Sequence, residues 1–74
     1  MKIPSDEILE YLRKTFPVGT RIKLTKMNDK YAPPIGTLGT VRGIDDIGSI
    51  LVHWDTGSSL SVAYGEDECE IVEG

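Results

Sequence analysis

The chain has 74 residues, 39% of them hydrophobic and 27% charged, with a formal net charge of −4; this excludes a second domain, a disordered tail and a membrane span. Its lone cysteine, Cys69, excludes an internal disulfide, and with His53 as the one other soft ligand a structural zinc lacks its tetrahedral set. All eight Lys and Arg fall within residues 1–42 beside four acids, whereas residues 43–74 hold eight acids and no base.

In chain order, residues 5–16 read as one short amphipathic helix. Ser5 is a good N-cap, Asp6 and Glu7 suit the positive end of the helix dipole, and Arg13 and Lys14 suit the negative end. Ile8, Leu12 and Phe16 recur four apart, Leu9 widens the stripe, and Glu10 can pair with Lys14. Pro17 stops the helix. So short a helix is marginal alone, and its stripe must lie on this chain or on another molecule.

From Gly19 onward the period becomes two. Thr20–Thr25 alternates, with Ile22 and Leu24 inward and Arg21 and Lys23 outward. Residues 28–36 form a loop, since Pro33 and Pro34 cannot sit in a central strand. Thr37–Arg42 is the second strand, with Leu38 and Val41 both inward if the chain bulges near Gly39. After a turn over 43–48, Ser49–Trp54 places Ile50, Val52 and Trp54 on one face and Leu51 and His53 on the other. A tight hairpin at Asp55-Thr56-Gly57 leads to Ser58–Tyr64, and a turn over 65–68 leads to Cys69–Val72 with Cys69 and Ile71 inward. There is no internal repeat.

Five short strands with close-spaced turns predict a mainly β domain: a small five-stranded antiparallel barrel over 17–74 behind one N-terminal helix. One long loop followed by three tight turns is the plan of SH3-like barrels. Acidic strands of the second half lying beside basic strands of the first would cancel much of the charge split, whereas residues 13–30 left together would form a basic face.

The strings Pro17-Val18-Gly19-Thr20-Arg21-Ile22, Gly36-Thr37-Leu38-Gly39-Thr40-Val41, Gly43-Ile44-Asp45-Asp46-Ile47-Gly48 and His53-Trp54-Asp55-Thr56-Gly57-Ser58-Ser59-Leu60 together resemble a small family of bacterial and phage proteins known as a domain of unknown function. The resemblance spans about residues 17–72, implies an SH3-like fold and carries no catalytic residue onto this chain. Gly39–Ser58 more loosely resembles the Mind-bomb-type domain of eukaryotic ubiquitin ligases, which implies peptide recognition. Gly39-Thr40-Val41 and the Asp turn are also similar to the short barrel motif of ribosomal and transcription proteins, a spacing that any tight β-turn-β needs.

These readings lead to a non-enzymatic, cytoplasmic module that binds a protein or peptide. Tyr31, Pro33, Pro34, Trp54 and Tyr64 are the candidate contacts, because aromatic and proline side chains floor peptide grooves of this kind. Trp54 has a competing reading as a core residue whose N–H needs Asp55 or a carbonyl as partner. Arg13, Lys14, Arg21, Lys23, Lys26 and Lys30 support an alternative, a nucleic-acid-binding accessory module. The stripe Ile8, Leu12 and Phe16 supports self-association. Asp45 and Asp46 lack calcium-loop spacing, His53 and Cys69 lack an orienting third group, and no phosphate loop is present, so no metal, cofactor or catalytic residue is expected.

Overall fold

A computed structural model describes residues 5–73. Its elements are α1 (Asp6–Thr15), β1 (Arg21–Lys26), β2 (Leu38–Ile44), β3 (Ser49–Trp54), β4 (Val62–Ala63) and β5 (Glu68–Ile71). The helix begins as its sequence dictates: the Ser5 hydroxyl accepts the Ile8 N–H at 3.3 Å, and Glu10 pairs with Lys14 at 3.0 Å. Leu9 and Leu12 are its most buried residues, with Ile8 and Phe16 half-buried beside the core. The stripe is therefore turned onto the chain's own interior, and α1 packs against β2.

One short device is used twice. Pro17-Val18-Gly19-Thr20 and Pro34-Ile35-Gly36-Thr37 form the same turn, each closed by the Thr N–H and hydroxyl donating to the Pro carbonyl. The Gly19 N–H then donates to the Val41 carbonyl and the Gly36 N–H to the Leu24 carbonyl, both at 2.8 Å. Each turn thus launches one strand of the β1–β2 pair while anchoring to the other.

The five strands form one antiparallel sheet in the order β4-β3-β2-β1-β5. Its inner face carries Ile22, Leu24, Val41, Ile50, Val52, Trp54 and Val62, all buried with Leu12; fully burying an aliphatic side chain of this kind stabilises by about 1.5–3 kcal/mol. Trp54 is 0% exposed, and its Nε1–H donates to the Leu60 carbonyl at 2.8 Å, so a backbone carbonyl and not Asp55 is its partner.

Several sequence expectations are corrected. The bulge lies between Val41 and Gly43, not near Gly39; Leu38 consequently faces outward and Gly39 inward. Gly39 is required there: a Cβ would stand 2.6 Å from Trp54 Cε3 and 2.7 Å from Val52 Cγ1. The strand expected over Ser58–Tyr64 shortens to Val62–Ala63, because the Ser58 hydroxyl takes the Leu60 N–H and the Leu60 carbonyl takes the indole. Ile71 pairs opposite Ile22 but is 49% exposed at the edge of the sheet.

The expected barrel does not close. β4 and β5 are the two edges of the sheet, linked by the turn between them. There Tyr64 and Asp67 form an isolated bridge, and the Asp67 carboxylate accepts the Ala63 N–H at 2.9 Å. A two-residue β4 offers too short a ladder to join the edges. The result is a slab with Cα extents of 31 × 28 × 16 Å.

Candidate functional site

The outer face of the sheet carries paired charges. Arg21 donates to both carboxylate oxygens of Asp55 at 2.9 and 2.7 Å and to the Thr40 hydroxyl at 3.0 Å, tying β1 to the β3–β4 hairpin through β2. The Arg21 hydrogen bonds hold the Asp55 carboxyl below its ordinary range, and Asp55 raises the guanidinium in turn. Lys23 meets Glu70 at 3.6 Å and Lys26 meets Glu68 at 4.0 Å, the expected cancellation of basic strand by acidic strand. Arg13 reaches Asp46 at 3.4 Å.

Of the six basic residues singled out for nucleic acid, Arg13, Lys14, Arg21, Lys23 and Lys26 thus stand beside carboxylates, and the Lys30 ammonium lies 4.9 Å from the centre of the Tyr31 ring. Lys2 lies outside the described residues.

The structure scatters the aromatic and proline set. Trp54 is wholly interior and Pro33 is buried, so neither offers a surface. Tyr31, in the loop between β1 and β2, is 72% exposed beside exposed Pro34. Tyr64 is 48% exposed and pairs with Tyr11 of α1, their ring centres 6.3 Å apart and tilted by 37°. The separation lies within the range over which aromatic rings attract one another.

The Tyr11–Tyr64 pair lines a cleft of about 450 Å³ between α1, the inner edge of the sheet and the turn before β5. Leu12, Phe16, Ile50 and Val62 give it an apolar floor, Cys69 stands in its wall, and Glu66, Asp67 and Glu68 oppose Lys26 on its rim. Burial pushes the Cys69 thiol up to about 11, so at neutral pH it is a small apolar group. Gly65, at φ +92°, makes the sharp turn after β4 that leads into these acids. A second hollow of about 520 Å³ lies between this turn and residues 26–29, and it shares Lys26, Gly65, Glu66 and Asp67 with the first.

Sequence reasoning missed Tyr11 and the rim acids as site residues. The available signal was an aromatic residue beside, rather than within, the apolar stripe of α1. His53 faces outward opposite Thr40, while Cys69 pairs with inward-facing Leu24, which puts the two on opposite faces of the sheet. No group of three or more His, Cys, Asp or Glu converges to hold a metal among the described residues, and no described helix is long and apolar enough to cross a membrane.

A search of the curated proteins finds no match to the chain. Residues 5–72 match the family described as Domain of unknown function (DUF4314), so the match takes in α1 as well as the strands. The resemblance noted over residues 17–72 thus extends through the helix, and the chain belongs to the DUF4314 family.

Proposed function

We propose that this chain is a non-enzymatic protein-interaction module that engages its partner at the Tyr11–Tyr64 cleft. The observation that carries this reading is a pair of half-exposed tyrosines lining an apolar-floored hollow at the unclosed side of the sheet. Large rings with few rotamers give contact area at little ordering cost, which is why tyrosine is enriched where proteins meet. The strand order, with the last strand beside the first, supports an SH3-like connectivity opened between β4 and β5. Separation of His53 from Cys69 and the raised thiol support the absence of catalysis. The nucleic-acid alternative has less support, since five of its six cations already face carboxylates that a polyanion must displace to bind.

A photo-crosslinking residue placed at position 64, and separately at position 53 on the outer face, tests the reading in cells expressing the chain. Position 64 is expected to yield a discrete protein adduct that position 53 does not, and that Tyr11→Ala diminishes. Equal adducts from both positions, or none from 64, would reject the cleft as an interface.

A further inference from the structure

Resting on the interaction reading above, we infer that the occupant of the Tyr11–Tyr64 cleft is a cationic side chain, arginine or lysine, presented by a basic peptide segment. The paired tyrosine rings both line it, and ring faces attract cations. The apolar floor of Leu12, Phe16, Ile50 and Val62 suits the methylene stem of such a side chain, and the acidic rim suits its head. The charge balance points one way: Glu66, Asp67 and Glu68 face one ammonium, that of Lys26.

The acids are not equally available. Asp67 is engaged by the Ala63 N–H and Glu68 only by the distant Lys26 ammonium, so Glu66 and Glu68 are the more available acceptors. Glu68 also shows how loosely the chain satisfies itself. Its carboxylate stands 4.0 Å from the Lys26 ammonium, the longest of the ion pairs, and both side chains are more than half exposed. Lys26 therefore acts as an internal stand-in for the ligand's cation, held weakly enough to be displaced. Elsewhere in the chain a cation does meet a tyrosine face, where the Lys30 ammonium sits 4.9 Å over the Tyr31 ring.

Nuclear magnetic resonance titration with a blocked peptide alternating glycine and arginine, and with its glutamate counterpart, tests this directly. The arginine peptide is expected to shift resonances of Tyr11, Tyr64 and residues 66–69, and the glutamate peptide to leave them unmoved. Tyr64→Ala should weaken binding about two- to fivefold, the scale of one cation–π contact at a half-exposed ring. Glu66→Gln with Glu68→Gln should weaken it and flatten its salt dependence, while Lys26→Met should tighten it by removing the internal competitor. All these positions are exposed, and preserved amide dispersion confirms the fold of each variant. Equal shifts from both peptides, shifts spread over Asp55 and Glu70 on the outer face, or no shifts would overturn the cationic occupant. If crosslinking at position 64 still succeeds in that case, the interface stands and the chemistry assigned to its occupant is wrong.

Discussion

The outer face of the sheet and the cleft end differ in how their charges are satisfied. On the outer face Arg21 holds Asp55 across β2 with two short hydrogen bonds and Lys23 faces Glu70 on the neighbouring β5, so bases and acids answer one another across the sheet. At the cleft end three acids crowd a turn against one loosely held lysine, beside apolar surface and two tyrosines. The same −4 chain thus carries one face whose main acids are paired within it and one end where acids outnumber bases. Charges paired from within need nothing further, whereas an acidic, aromatic hollow is improved by a partner of the opposite sign.

The largest expected effect breaks both regions together. Trp54→Ala should cost about 3–5 kcal/mol, the scale for losing a large buried aromatic, and it also frees the Leu60 carbonyl that sets the entry to β4. Chemical denaturation measures this; a variant melting like the parent would contradict Trp54 as the keystone shared by both regions. Next comes Gly39→Ala, expected to destabilise by about 1–3 kcal/mol through overpacking, because the new methyl meets Trp54 and Val52. A neutral result would mean that the indole can slide, and the tight registry between sheet faces would be loosened with it.

Cys69 reports on the cleft alone. With its thiol pushed up to about 11, alkylation near pH 8 should run about tenfold or more below that of an unstructured cysteine and climb as pH rises. Reaction at the free-thiol rate would show the wall of the cleft to be open to solvent. Asp55 reports on the outer face alone. Its folded-state pKa is lowered, so its stabilising contribution is present above the unfolded value and disappears as pH falls through the folded one. Arg21→Met should raise the Asp55 carboxyl titration seen by carbon resonance and make acid unfolding less steep in that window, leaving the cleft resonances in place. An unchanged Asp55 titration would remove the outer face's main tie. The smallest effect is expected from Lys23→Gln, at most about 1 kcal/mol for an exposed cross-strand pair; a larger loss in thermal melting would mean the pair with Glu70 is more than a surface contact.

The helix and β3 were legible because their signals are local. Ser5, Asp6 and Pro17 punctuate α1 directly, and the alternation Ile50, Val52, Trp54 matches its burial residue for residue. The rim of the cleft was not, because Tyr11 and Tyr64 are fifty-three positions apart and meet only through the fold. Gly39 misled for a similar reason. A glycine in a strand signals either a bulge or a close approach, and the choice depends on where Trp54 lies on the neighbouring strand. The paired Pro-x-Gly-Thr turns were present as letters, yet their joint role appears only once each glycine N–H is seen to reach the opposite strand. The open barrel follows from Ser58–Leu60, where side-chain and indole hydrogen bonds consume backbone groups that a longer β4 would have used.

The pairing of β5 with β1 has a consequence for synthesis. Residues 21–26 emerge early, yet their outer neighbour is residues 68–71, made more than forty residues later. Until then β1 has partners on one side and an open ladder on the other, and the inner-face residues Ile22 and Leu24 lack Cys69 beside them. Non-local closure of this kind is slow and leaves strand edges available to other chains. Lys23 and Lys26, whose acids are also still unmade, keep that waiting edge positively charged. Nascent copies on neighbouring ribosomes would therefore repel one another along the very strand that could otherwise join them.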